Sequence, residues 1–248
     1  MNIKLLIDLH KNTERQGPGG TNETIKALDF IQLNKNREYN IADIGCGIGA
    51  QTLTLAENSN AKIVAVDLSA AFLDELKISI QKRNLNHRIK TQVASMDNLP
   101  FQNEEFDIIW SEGAVYNMGF EHGIRYWKQF LKQGGYLAVS EISWITDWRP
   151  KEVETYWKNE YAEIGTISEK TAIIEKNGYC PVAHFVLPES CWLDNYYKPR
   201  EKHFSDFLAR HDDSEAAKQM VEETKREMEL YERYKKYFSY GFYVARKL

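Results

Sequence analysis

Three observations predict an α/β fold built on a mostly parallel sheet. From about residue 40, short apolar runs alternate with helical stretches. The runs are rich in β-branched residues, as strands covered on both faces are. A glycine-rich segment then sits at the first strand-to-helix junction, where such folds bind ligands.

The elements follow in order. Residues 1 to 36 read as two helices around a glycine break. Ile3, Leu6, Ile7 and His10 recur at helical spacing, and Gln16-Gly17-Pro18-Gly19-Gly20 interrupts them. Thr21 or Asn22 then caps a helix carrying Ile25, Leu28 and Ile31. Strands are expected at Ile41–Ile44, Ala61–Val66, Ile89–Val93, Phe106–Trp110 and Tyr136–Ile142, and helices at Ala50–Glu57, Ala70–Arg83 and His122–Lys132. Gly134-Gly135 is expected to close the last of these helices. The second half predicts a helix over Thr166–Lys176 and a strand over Ala183–Leu187. A long charged helix over Glu215–Lys236 follows, with pairs Glu222/Arg226, Glu229/Arg233 and Glu232/Lys236, and a final strand near Phe242. No repeat or linker interrupts the chain. The expectation is a single domain, 1–248, with residues 1–36 as an N-terminal helical flap and 189–237 as a helical insertion before the last strand.

Composition narrows the function classes. The 248 residues are 43% hydrophobic and 27% charged, with 36 acidic against 32 basic side chains and a net charge of −4. This mild acidity argues against a nucleic-acid or anionic-membrane partner. No run approaches the ~20 apolar residues that span a bilayer. Asp8 interrupts the apolar start, so no secretory signal is expected. Cys46, Cys180 and Cys191 have neither disulfide-framework nor zinc-like spacing, so no metal site is expected. A reducing, cytoplasmic setting follows.

The strongest chemical signal is Asp43-Ile44-Gly45-Cys46-Gly47-Ile48-Gly49-Ala50, between a strand and a helix. Its glycines let backbone turn tightly and approach a ligand closely, and the following helix offers free N–H groups and a positive dipole end. A nucleotide-like cofactor suits such a loop. Gly45, Gly47 and Ala50 also match the dinucleotide pattern, so a nicotinamide-dependent oxidoreductase is the rival reading. Asp43 separates the two. A carboxylate at the mouth of the loop repels a pyrophosphate and attracts an ammonium group, which S-adenosylmethionine carries. Asp67 ends the second strand twenty residues after Gly47, where a carboxylate accepts from ribose hydroxyls. It also suits a cap for the helix starting near Ser69. Asp97, in Ala94-Ser95-Met96-Asp97, is placed to accept from the exocyclic amine of adenine, with Met96 against the ring.

Asp43-x-Gly45-x-Gly47-x-Gly49 with Asp67 and Asp97 resembles the class I S-adenosylmethionine-dependent methyltransferases. The resemblance runs closely over about residues 38 to 145, through Phe106–Glu112 and Leu131–Leu137. It is nearest to the branch that methylates small molecules, including the quinone-biosynthesis enzymes. The resemblance implies a Rossmann-like, doubly wound sheet of seven strands with the last antiparallel and inserted between two others. It implies S-adenosylmethionine as cofactor and a small-molecule acceptor, methylated by in-line displacement. It also assigns roles. Asp43, Gly45, Cys46 and Gly47 hold the methionine portion; Asp67, Leu68 and Ser69 take the ribose and the adenine face; Met96 and Asp97 recognise adenine; Glu112, Gly113 and Ala114 line the cofactor near its methyl group. Ser111-Glu112-Gly113-Ala114 lacks the signature of methyltransferases acting on nucleic-acid bases. A non-catalytic protein with an intact cofactor site is the second rival.

No catalytic base is legible. His184, His122, Tyr116, Glu112 and Glu141 are near places where one could act, with His184 expected to be a buried core histidine. Trp144, Trp148, Trp192, Tyr196 and Tyr197 follow the fifth and sixth strands, where aromatic walls cover a flat or cationic acceptor or fill the core.

Overall fold

The computed structural model describes residues 3–11 and 13–248. In chain order the elements are α1 (Ile3–His10), α2 (Thr21–Ile31), β1 (Tyr39–Ile44), α3 (Ala50–Asn58), β2 (Ala61–Asp67), α4 (Ala70–Lys82), β3 (Ile89–Val93) and β4 (Phe106–Glu112). A short turn of 3-10 helix leads to α5 (Phe120–Trp127) and β5 (Leu131–Trp144). Then come α6 (Lys151–Glu160), β6 (Gly165–Thr166), α7 (Ile167–Lys176) and β7 (Tyr179–Val186). The helical insertion holds α8 (Glu189–Trp192), α9 (Lys198–Glu201), α10 (Phe204–Arg210) and α11 (Glu215–Tyr234), and β8 (Phe238–Lys247) closes the sheet.

The strands lie in the order β3-β2-β1-β4-β5-β8-β7, with the two-residue β6 paired beside β5. β1 to β5 run parallel, and β8 is antiparallel to both β5 and β7. This is the expected Rossmann-like sheet with its inserted last strand. Apolar side chains cover both faces. One cluster joins α2, α3 and α4 to the sheet through Leu28, Leu55, Leu73 and Trp110. The other packs α5 and α7 through Trp127, Ile124 and Ile174. A third, smaller cluster of Leu5, Leu9, Phe204, Phe207, Ala217, Met220 and Val221 ties α1 to α10 and α11. Among the described residues no helix is long and apolar enough to cross a membrane.

Local chemistry accounts for the element ends. Ser69 caps α4 by accepting from Phe72 N. Thr166 and Glu169 form a reciprocal capping box on α7. Five details differ from the sequence reading. Helix α2 starts at Thr21 itself, with Gly20 at its N-cap and no side-chain cap bond, so neither Thr21 nor Asn22 caps it. The helix before β5 begins at Phe120 and ends at Trp127, and Gly134-Gly135 lie inside β5 rather than at a helix end. They form a bulge: Phe106 pairs with Leu131, yet Ile108 pairs with Tyr136. Gly134 has φ +72°, and a Cβ on Gly135 would stand 2.9 Å from Lys132 O and 3.0 Å from Asp107 O. Helix α6 was not legible, because its buried face is only Val153. On α11, Glu222 pairs with Lys225, Glu232 with Lys235 and Arg233 with Glu152. The partners sit at i+3 or across to α6, where shorter reach and a second helix compete with the i+4 geometry. Finally, His184 is exposed, because β7 alternates its faces at the sheet edge.

Candidate functional site

The carboxyl ends of β1, β2 and β4 converge on a cavity of about 440 Å³. It lies where the strand order reverses direction, beside β1, the usual ligand position in an open α/β sheet. Gly45, Cys46 and Gly47 form its floor, with Asp67, Leu68, Met96, Asp97, Glu112, Gly113 and Ala114 around it. Gly45 and Gly47 have φ of +74° and +57°. A Cβ on Gly45 would run into the Ala114 methyl, and one on Gly47 into Gln16 Oε1. Only glycine leaves the floor open.

Asp67 holds the loop in shape. Its carboxylate accepts from Gly47 N at 2.9 Å and from Ser69 N at 2.8 Å. Burial raises its pKa in spite of these N–H donors. Ser69 sits behind it as the α4 cap and does not line the cavity. Asp97 is exposed on the rim, and Met96 is anchored through its carbonyl, which accepts from Trp127 Nε1 at 3.0 Å. Leu68 is 63% exposed, an apolar side chain left open at the cavity edge.

Asp43 lies elsewhere than the sequence suggested. It is fully buried beneath the loop instead of at its mouth. Its carboxylate accepts from Thr52 Oγ1 at 2.5 Å and Gln51 Nε2 at 3.3 Å, both on α3. Burial pushes its pKa up to about 7; the Thr52 hydrogen bond opposes this and the nearby Glu112 charge adds to it. The reason for the misplacement is geometric: side chains alternate along a strand, and position 43 points under the turn.

Glu112 is a hub. Its carboxylate accepts from Arg15 Nη1 at 3.0 Å, Thr24 Oγ1 at 2.7 Å and Trp110 Nε1 at 3.0 Å. The Arg15–Glu112 pair is buried, with side chains 9% and 5% exposed. It fastens the segment before α2 to the end of β4. Gln16 does the same at the loop, where its Oε1 accepts from Ile48 N at 3.0 Å. Leu6, His10, Arg15, Gln16, Gly17 and Pro18 all line the cavity. Arg15 and Gln16 were not legible as site residues, since only the fold brings them to Glu112 and Ile48.

A second cavity of about 1250 Å³ shares a wall with the first through Leu6, His10, Gln16, Gly17, Pro18, Gly113 and Tyr116. Its other walls come from α6, the segment Trp192–Arg200, α11 and Tyr240. Of the aromatic candidates, Trp192 and Tyr196 reach this cavity. Trp192 also stacks on Tyr231 with ring centroids 4.4 Å apart. Trp144 and Tyr197 are core residues, and Trp148 is 70% exposed. Among the candidate bases, Tyr116 lines both cavities, while His122 is exposed on α5. Glu141 is fully buried and bonded to Lys170 Nζ at 3.1 Å. His10, which had seemed only part of a helix face, stands at the junction. Burial and the nearby Arg200 charge hold its pKa well below the usual histidine value.

The residues of the first cavity fit a cationic, phosphate-free nucleoside. The glycine floor admits a ligand against backbone, the surrounding carboxylates favour positive charge, and the buried Arg15 Nη2 has no hydrogen-bond partner among the described residues. Comparison with known proteins agrees. Residues 41–135 match a family described as a methyltransferase domain. The Streptomyces halstedii methyltransferase GfsG is 24% identical over 188 residues, covering 75% of this chain and 59% of that protein. The chain spans about half the length of the curated relatives it matches. A Geobacter sulfurreducens methyltransferase, solved with S-adenosylhomocysteine, superposes with a TM-score of 0.86 at 16% identity, covering 99% of this chain and 98% of that one. The [4+2]-cyclase SpnF superposes with a TM-score of 0.75 at 18% identity, covering 99% and 92%. Residues 41–135 thus match a methyltransferase domain, and the inserted antiparallel strand and the glycine-floored cavity belong to the fold that those solved structures share.

Proposed function

We propose that this protein transfers a methyl group from S-adenosylmethionine to a small-molecule acceptor held in the larger cavity. The observation that carries the reading is the shared wall: a cofactor-sized cavity at the strand ends opens onto a second, aromatic-lined one. The cofactor, when bound, supplies a methyl group already activated on a sulfonium.

The protein's own part is position and enclosure. Gly45, Cys46 and Gly47 support the methionine portion from below, and Asp43 acts through the loop. Arg15 Nη2, buried and without a partner among the described residues, suits the carboxylate of that portion. Asp67 and Leu68 serve the ribose edge and adenine face, with Ser69 behind them donating its N–H to Asp67, and Met96 and Asp97 serve the base. Glu112, Gly113 and Ala114 stand at the wall between the cavities. Glu112 already accepts three hydrogen bonds, which argues against it as the base. His10 stands at the same wall with its ring held neutral by burial and the Arg200 charge, which makes it an uncharged hydrogen-bonding group toward the acceptor and a weak base.

The walls around these cavities favour a small acceptor over nucleic acid: Leu6, His10, Gln16, Gly17 and Pro18 of the N-terminal flap border both cavities, and the 189–237 insertion walls the larger one, as parts of one domain. Cys46, Cys180 and Cys191 are unpaired, in keeping with a cytoplasmic setting. The test is transfer of labelled methyl from S-adenosylmethionine into an extract of small metabolites. A labelled product supports the reading. Tight S-adenosylhomocysteine binding with no labelled product would favour a non-catalytic binder, and binding of NAD alone would favour the oxidoreductase.

A further inference from the structure

Arg200 stands out in the larger cavity. It lies on α9, in the insertion, and is 2% exposed. Its guanidinium lies over Tyr196, with Cζ 3.9 Å from the ring centroid. It lines the cavity, yet Nε and Nη2 are buried with no hydrogen-bond partner among the described residues.

An arginine cannot shed its charge when buried. A guanidinium removed from water with two open donors therefore needs an anion. The Arg200 charge acts on Glu227, an acid on the same cavity wall. Glu227 is bonded instead to Tyr197 Oη at 2.8 Å. Burial also raises its pKa, which weakens it as a counter-charge. The walls of this cavity also carry the cations Lys151, Arg226 and Arg233 and the acids Glu152, Glu160, Glu223 and Glu229. Arg233 bonds to Glu152 directly at 3.2 Å. Among the described cations of this cavity, Arg200 alone has buried donors without a partner.

We propose that Arg200 anchors an anionic group of the acceptor, a carboxylate or a phosphate ester, through its Nε and Nη2 donors, while the acceptor's apolar part lies among Tyr196, Trp192 and Tyr240. This rests on the reading of the larger cavity as the acceptor site. Nε and Nη2 share one edge of the guanidinium plane, the fork that pairs with two oxygens of a carboxylate or phosphate. The aromatic neighbours explain how the charge is held without a salt bridge: a ring face partly replaces the lost water.

The experiment uses the full chain saturated with S-adenosylhomocysteine and four probes: benzoate with its neutral analogue benzamide, and phenyl phosphate with phenol. Calorimetry should show at least one anion binding about tenfold or more tightly than its neutral analogue, and the better anion identifies carboxylate or phosphate. Arg200→Met should weaken that anion at least about thirtyfold and leave the neutral probes and S-adenosylhomocysteine unchanged. Arg200→Lys, which keeps the charge but not the fork, should fall between. Equal binding of anion and neutral analogue, no binding of any probe, or an Arg200→Lys variant as tight as the original chain would overturn the anchor. If Arg200→Met does not fold, the wild-type probe pairs and Arg200→Lys still decide. Failure of S-adenosylhomocysteine to bind would instead count against the methyltransferase reading, and the probe pairs are read equally on the chain without it.

Discussion

The two cavities are built in different ways. The floor of the smaller one is backbone: a glycine loop between β1 and α3, a carboxylate at the end of β2, and the turn after β4. The larger one is walled by side chains from α1, α6, the insertion and α11, which lie far apart in sequence. A site built on strand ends inherits its geometry from the sheet. A site built between helices takes its geometry from packing, and it varies when the helices vary. The first design suits one kind of ligand, and the second lets sheets of one fold be joined to differently shaped cavities.

The contrast is broken most directly at the loop. Gly47→Val should lower S-adenosylhomocysteine affinity at least about a hundredfold, roughly 3 kcal/mol. Its φ of +57° disfavours a β-branched residue, and the new Cβ meets Gln16. Calorimetry reads the loss while thermal unfolding reports the fold. A variant with normal affinity would mean that the loop does not carry the ligand.

The seam between the two constructions comes next. Removing one partner of a buried ion pair leaves the other charge stranded, at about 3–5 kcal/mol. Glu112→Ala strands Arg15 and also orphans Thr24 and Trp110. It should lower the unfolding temperature and loosen the segment before α2, seen as faster hydrogen exchange there. Arg15→Met should recover part of the stability lost in Glu112→Ala. If the double variant is as unstable as the sum of the single ones, the two residues do not act as a pair.

What the sequence made legible follows the same division. Apolar runs and glycine spacing are local signals, so the parallel strands, their order of appearance and the loop could be read directly. Asp67, Met96 and Asp97 end up around one cavity because strand ends meet there in this fold. Asp43 was read in the right segment and on the wrong side of it, since spacing along a strand does not say which face lies under a turn. Arg15, Gln16, His10 and Arg200 were beyond reach. Their partners lie 97, 32 or more residues away, or are ring faces and open cavity, and no periodicity encodes those meetings. The bulge at Gly134-Gly135 looked like a helix stop because glycine serves both purposes.

The helical cover can be tested separately from the sheet. Leu9 is 1% exposed in the small cluster with Phe204, Phe207 and Val221, apart from the two large clusters on the sheet. Leu9→Ala should cost about 2–4 kcal/mol. That loss should fall on the cover, with faster exchange in α1, α10 and α11 and unchanged exchange in β1, β2 and β4. Uniform acceleration throughout would show that cover and sheet unfold as one unit.

The smallest effect concerns Asp43 and sharpens the comparison by linking pH to the loop. Its folded pKa of about 7 lies above the ordinary carboxylate value of 3.8. The folded chain therefore holds a proton from about pH 4 to pH 7 that the unfolded chain lacks. This contribution to stability is largest below the ordinary value and is lost as pH rises toward 7, flattening beyond it. The ligand-bound chain should behave in the opposite sense. Positive charge arriving above the loop favours ionised Asp43, so binding releases a proton. Affinity for S-adenosylmethionine should rise between pH 6 and pH 8, by up to about tenfold, or ~1.4 kcal/mol. Calorimetry in two buffers of different ionisation enthalpy measures the proton directly at pH 6.5. Asp43→Asn should abolish both the release and the slope, while Asp97→Asn, an exposed rim residue, should leave them in place. A slope that survives Asp43→Asn would assign the proton to another group in the cavity, with His10 the first to examine.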